Sequence, residues 1–456
     1  MKNNSVKKLG TEPIGKLLFK LAIPTVTAQI INMLYNIVDR IFIGHIPNIG
    51  TAALTGVGVC LPIIMIVAAF SSLVSSGGAP RASIRLGEGK KDEAELILGN
   101  SFTTQVIISV VLTAALLLFN RPMLLAFGAS NETIDYAVRY MNVYALGTIF
   151  VQITLGLNAF ISAQGFTKVS MFTVLVGAVS NIALDALFIY GFNMDVQGAA
   201  LATIISQAIS GTLAFLFLIS KHTTLKLKIT NLVLKPKIIL PCLALGLSMF
   251  IMTASESLIS VCFNSSLQKH GGDIAVGAMT ILTSVMQFAM LPLQGIGQGA
   301  QPIASYNFGA GNTERVKKTF RLLLIVNLIY STLFWASVML FPRVFASIFT
   351  PNAELAQFAA GAMRIYFCAM LVFGIQIACQ MIFISIGSAL CSITVAVIRK
   401  FVLILPIMYI LPAIFDNKVN AVFAAEPISD FIAVCFTTVL FAIMFKRALK
   451  KIQREK

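Results

Sequence analysis

Long apolar runs, interrupted by short charged or Gly/Pro-rich breaks, divide this chain into twelve candidate helices. They lie near 16–45, 51–79, 94–119, 133–162, 168–191, 195–219, 237–266, 274–300, 316–341, 354–385, 389–413 and 419–446. A helix needs roughly 20 residues to cross the hydrocarbon of a bilayer, and these runs are long enough to do so. They do not alternate in period two, which argues against barrel strands. Pro24 and Pro406 fall inside runs, where a missing N–H permits a kink.

The pattern repeats. Residues 79–89 and 301–311 echo each other: Pro80, Ala82, Ser83, Gly87 and Gly89 stand 222 residues before Pro302, Ala304, Ser305, Gly309 and Gly311. The same offset relates Gly165 to Gly387, Ala199 to Ala421 and Ala202 to Ala424. One offset held over so long a stretch implies duplication of a helical bundle. Six spans per half is an even number, so both halves enter the bilayer in the same direction. Two such bundles facing each other are the usual architecture of an alternating-access transporter. The expected division is a first bundle over 1–219, a linker over 220–236 and a second bundle over 237–456.

Composition supports lipid as the solvent: 57% of the residues are hydrophobic and 11% charged, with a mean hydropathy of +0.88. The net charge of +16 comes from loops on one side. That side carries Lys2, Lys7, Lys8, Lys16 and Lys20, then Arg81, Arg85, Lys90 and Lys91, then Lys168. It also carries Lys221, Lys226, Lys228, Lys235 and Lys237, then Arg315, Lys317, Lys318 and Arg321, and the C-terminal run from Lys446 to Lys456. The opposite loops hold Arg121, Lys269, Arg343 and Lys418. Such a bias predicts a multi-pass protein of the cell membrane with both termini in the cytoplasm. Charge scattered over inner loops does not make a nucleic-acid site. The GxG turns at Gly87 and Gly309 have no Walker Lys after them and read as tight turns. The seven Cys form no CxxC pair and the three His no cluster, so no metal centre and no cofactor are expected.

Acids inside spans are costly in lipid and therefore informative. Asp39 lies roughly 7 Å and Asp185 roughly 9 Å below the outer end of their spans, at about 1.5 Å per residue. Thr203 lies at a similar depth, about 10 Å. Asn181 sits one turn from Asp185 on the same face. Two carboxylates, an amide and a hydroxyl can thus meet in the outer half of the first bundle. Two such acids in a low dielectric cannot both ionise cheaply, which makes a proton carrier. The same oxygens, from Asp39, Asn181, Asp185 and Thr203, could instead hold Na⁺. The competing reading is a structural polar knot between helices in which Asp39 pairs with Arg40 or with outer-loop groups. The second half has Val261 and Ile407 at the positions equivalent to the two acids.

That second half has charges of its own. Arg399 and Asp430 both fall near mid-depth and are expected to pair, with Glu426 close by. Lys400 is also within the span. Glu256, in the seventh span, is the first candidate for holding a cationic substrate. Gln29, Asn32, Tyr35 and Asn36 form a polar stripe with Asp39, and Gln376 and Gln380 form another. Polar stripes in lipid must face protein or water, so both are expected to line the cavity. Some of the 18 Met and 34 Phe would suit greasy cationic ligands there.

These residues resemble the multidrug and toxic compound extrusion (MATE) family across essentially the whole chain. The carriers are Pro24, the run Val38-Asp39-Arg40-Ile41-Phe42-Ile43-Gly44, and the duplicated Pro-x-x-Ser-x-x-x-Gly-x-Gly loops. Asn181-x-x-x-Asp185 and Gly198-Ala199-Ala200-Leu201-Ala202-Thr203 complete the set. The resemblance is strongest to the DinF-type, MepA-like branch. It implies an all-α polytopic membrane protein whose two pseudo-symmetric six-helix bundles form a V-shaped cleft. In that branch the cation site falls on Asp39, Asn181, Asp185 and Thr203. It further implies efflux of organic cations driven by H⁺ or Na⁺, and a monomer. A lipid or lipid-linked saccharide flippase of the same superfamily is the alternative. An intramembrane enzyme would need a nucleophile–base pair or metal cluster, and the sequence offers neither.

Overall fold

The computed structural model describes residues 4–454; Lys2 and Lys456, counted above among the inner charges, lie outside that range. The first half comprises α1 (Asn4–Thr11), α2 (Ile14–Gly44), α3 (Gly50–Gly87), α4 (Lys91–Ala126), α5 (Ile134–Leu146), α6 (Thr148–Ala163), α7 (Thr167–Asp185) and α8 (Asp195–Ile219). The second comprises α9 (Pro236–Gly309), α10 (Thr313–Leu340), α11 (Pro342–Phe349), α12 (Ala353–Tyr366), α13 (Met370–Ser385), α14 (Ala389–Val397), α15 (Ile404–Ile414) and α16 (Lys418–Arg454).

Among the described residues nine helices are long and apolar enough to span a membrane, and two bent pairs do so jointly. One of the nine, α9, has 74 residues. At about 1.5 Å per residue it would exceed three hydrocarbon thicknesses. It reverses at Gly272, whose φ of 64° is open to a residue without Cβ, and so crosses twice. Twelve crossings result, six in each half.

Two of the expected spans are not continuous. α5 and α6 meet at 56°, and α12 and α13 at 55°. The breaks contain Gly147 and Ala369, which stand 222 residues apart. At Gly147 a Cβ would collide with the Ile204 side chain of α8, so the bend and the close approach go together. The duplicated turns match as well: Gly89 and Gly311 both have positive φ, 79° and 70°. Pro24 leaves α2 an unbroken helix, whereas the chain widens into a π turn over Ile398–Leu403 just before Pro406.

Among the described residues the halves touch closely toward the end that carries both termini. A Cβ at Gly77 would strike the Cys242 carbonyl, and one at Gly246 the Leu73 carbonyl. Gly87 lies against the Tyr306 carbonyl and Gly309 against that of Ile84, contacts that are images of each other under the 222-residue offset. Missing Cβ atoms here let backbone meet backbone. Asn307 donates to the Leu9 carbonyl at 2.8 Å, and Arg315 to the Leu9 and Glu12 carbonyls at 3.1 and 2.7 Å. Two apolar clusters at this end draw on both halves: Leu17 and Leu18 pack with Ile303 and Phe383, and Cys242 packs with Leu98 and Phe160. At the far end each half keeps its own cluster, one around Tyr140 and Met141, the other around Phe263 and Met363. The result is a V, closed at the terminus-bearing end.

The connection Ser220–Lys235 is strapped to the first half. Gln164, fully buried, accepts from the Thr223 hydroxyl (2.9 Å) and from the Thr224 and Leu225 amides (3.0 and 2.8 Å). The Asn100 amide donates to Asn231 and Val233 carbonyls at 3.1 and 3.2 Å. Glu95 pairs with Lys228 at 2.5 Å, and that hydrogen bond raises the Lys228 ammonium above its ordinary pKa. Gln164→Leu would leave two buried amides without acceptors, at about 1–3 kcal/mol each. The expected outcome is a clear drop in thermal midpoint of the purified protein; an unchanged midpoint would show that the strap is dispensable.

Candidate functional site

α2, α5, α7 and α8 bring the acids of the first half together. Asp185 ends α7 and is fully buried, and Asn181 one turn earlier is 1% exposed. Directly after Asp185 the helix widens into a π turn over Ala186–Gly191, a distortion that often accompanies functional sites. Asp39 on α2 is also buried and lies beside Asp185. Two neighbouring buried carboxylates repel unless one carries a proton or a cation lies between them. Among the described residues no protein donor reaches Asp39 Oδ1 or either oxygen of Asp185, and both polar atoms of the Asn181 amide are likewise without a protein partner. Arg40 is exposed and forms no ion pair with Asp39 among the described residues. The Arg40 charge is near enough to act on Asp39, but without ion-pair contact.

Thr203 is partly buried on α8 near the phenol of Tyr140, which adjoins Asp39. Tyr140 stacks on Tyr144 at 6.2 Å between ring centres. Tyr35, next to Asp39, has Asn36 and Gln207 as polar side-chain neighbours. Tyr140, Tyr144 and Gln207 thus adjoin this group, although the sequence alone did not single them out. The i, i+4 spacing of the two tyrosines in the fourth span was the available signal.

The remaining polar candidates separate. Gln29 lies at the floor where the halves meet, donating to Gln298 of α9 at 3.2 Å. Asn32 and Asn36 follow on the same helix, the Asn36 amide donating to the Asn32 carbonyl at 2.6 Å. Gln376 and Gln380 do not line the cleft. They are 1% and 3% exposed, and Gln380 donates to Ser392 Oγ at 2.8 Å, which contacts Ser248 Oγ at 2.7 Å. Their stripe met the demand of lipid by facing protein instead of water.

In the second half Arg399 Nε lies 2.7 Å from Asp430 Oδ1, and Arg399 Nη2 lies 3.8 Å from Glu426 Oε1. The guanidinium also rests over the Phe373 ring, 4.7 Å from its centre. Glu256 is not a free anion. Lys400 Nζ, its side chain 2% exposed, sits 2.6 Å from Glu256 Oε1, while the Glu256 side chain is 54% exposed.

Two pseudo-symmetric six-helix bundles, a cleft closed at one end and buried acids in its walls define a membrane transporter. A family model described as MatE matches residues 24–187 and again 246–410, two matches that begin 222 residues apart. The chain belongs to the MATE family. It is 23% identical over 436 residues to the multidrug export protein MepA of Staphylococcus haemolyticus, covering 95% of each chain. Its fold matches a crystal structure of MATE in the bent conformation with a TM-score of 0.92, at 20% identity over 99% of this chain and 100% of that one. An outward-facing multidrug resistance MATE family transporter of the MOP superfamily gives 0.91, at 20% identity over 98% and 99%.

Proposed function

We propose that this protein is a multidrug exporter that moves amphipathic organic cations out of the cell in exchange for H⁺ or Na⁺. The observation that carries this is the facing Asp39–Asp185 pair, buried and without a basic neighbour in ion-pair contact. A proton or a Na⁺ ion supplies the positive charge those oxygens lack, with Asn181 and Thr203 as further oxygen donors. In this reading residues 1–219 and 237–456 act as two lobes that rock about their shared inner contacts, and the 220–236 segment joins them. The closed end faces the cytoplasm, in keeping with its basic residues. The protein is then open outward, the state in which drug leaves and the coupling cation loads. Exchange follows if cation and drug favour different states.

The relatives named for multidrug export support the substrate class. A saccharide-lipid flippase would want unpaired bases along the groove, whereas Arg399 and Lys400 are each held by acids. The test is ethidium efflux from cells expressing the protein, at controlled Na⁺, with and without a proton uncoupler. Efflux that collapses with the uncoupler or on removal of Na⁺ supports exchange; efflux indifferent to both overturns it.

A further inference from the structure

The charges of the second half do not balance. Among the described residues Glu256, Glu426 and Asp430 make ion pairs with Arg399 and Lys400 alone, which leaves one carboxylate of this cluster in excess. Asp430 is taken up by the short contact to Arg399. Glu426 lies 3.8 Å from Arg399, beyond hydrogen-bond distance, and Lys400 is among its charged neighbours. Lys400 itself is almost wholly buried and must stay paired, because an isolated ammonium away from water is very costly. It is bonded to Glu256, whose side chain is 54% exposed, and has Glu426 as a second acidic neighbour.

We infer that Lys400 is a specificity-determining residue. Its ammonium is a tethered competitor for the Glu256 carboxylate, so that the cleft accepts singly charged organic cations and disfavours doubly charged ones. This rests on the reading of the protein as an exporter of organic cations. When a guest cation takes Glu256, the Lys400 ammonium turns to Glu426, the acid whose charge is least used. One added positive charge then neutralises the cluster. A second overshoots it and leaves an uncompensated charge in a poorly hydrated wall.

The test is equilibrium binding to the purified full chain of two guests on one scaffold, singly and doubly benzylated bipyridinium. The singly charged guest is expected to bind the unaltered protein more tightly, by about tenfold, equivalent to roughly 1.4 kcal/mol. Lys400→Met should erase or invert that ratio, and Lys400→Arg should keep it. Glu426→Gln removes the excess charge and should weaken the singly charged guest by about tenfold as well. If Lys400→Met does not yield monodisperse protein, Glu426→Gln decides alone. An unchanged ratio in Lys400→Met, or undiminished binding of the singly charged guest by Glu426→Gln, overturns the inference and leaves the export reading standing. Binding of neither guest by the unaltered protein sinks both.

Discussion

Asp39→Asn is expected to reduce export of organic cations to the level of cells lacking the protein, without loss of folded protein from the membrane. The substitution keeps the shape of the side chain and removes its charge. Asp185 then has no second carboxylate with which to share a proton, and a Na⁺ ion loses one of its two anionic ligands. Folding should not suffer. Asp39 has no basic partner in ion-pair contact to leave stranded, and a buried charge is removed, so the thermal midpoint should stay level or rise. Asp185→Asn should act in the same direction. Export by Asp39→Asn at the unaltered rate would remove the pair from the mechanism, whereas a collapsed thermal midpoint would mark it as structural.

The second large effect is expected at the closed end. Gly77→Val places a side chain where α3 and α9 meet backbone to backbone, against the Cys242 carbonyl. Overpacking typically costs about 1–3 kcal/mol, and backbone cannot move aside as a flexible side chain can. Each ~1.4 kcal/mol shifts a two-state equilibrium about tenfold. The closed arrangement should therefore lose population and transport should fail. Cys242, fully buried here, should become reactive to a maleimide added from the inner side, as read by mass spectrometry. Gly58→Val is the control, since it makes the same change in the same helix where a Cβ meets nothing within 4 Å. Equal labelling of Cys242 in both variants would show that this contact does not hold the cleft shut.

Much of this architecture was legible because lipid imposes a coarse rule: every crossing is a long apolar run, and a duplication repeats its landmarks. Gly87 and Gly309 could be matched by offset, and each proved to lie against the other's bundle. The two broken spans were not legible. Their runs are apolar throughout, and the bends depend on tertiary neighbours such as Ile204 beside Gly147. Asp39, Asn181, Asp185 and Thr203 could be brought to one depth by counting turns. Tyr140 and Gln207 could not, because an aromatic or an amide reads equally well as packing. Lys400 was visible as a buried base, yet its partner was not. Adjacent residues on a helix point about 100° apart, so Arg399 turns to α16 while Lys400 turns to α9. Gln376 and Gln380 erred for a related reason: a polar stripe shows that lipid is avoided, not what replaces it.

The most direct test is to add substrate to purified, lightly buffered protein and follow what leaves it, with a glass electrode for H⁺ and preloaded radioactive sodium for Na⁺. Drug and cation compete in this account, so binding should eject one of the two ions from the unaltered protein and neither from Asp39→Asn. Substrate bound with no ion ejected, or ejection that persists in Asp39→Asn, would contradict it.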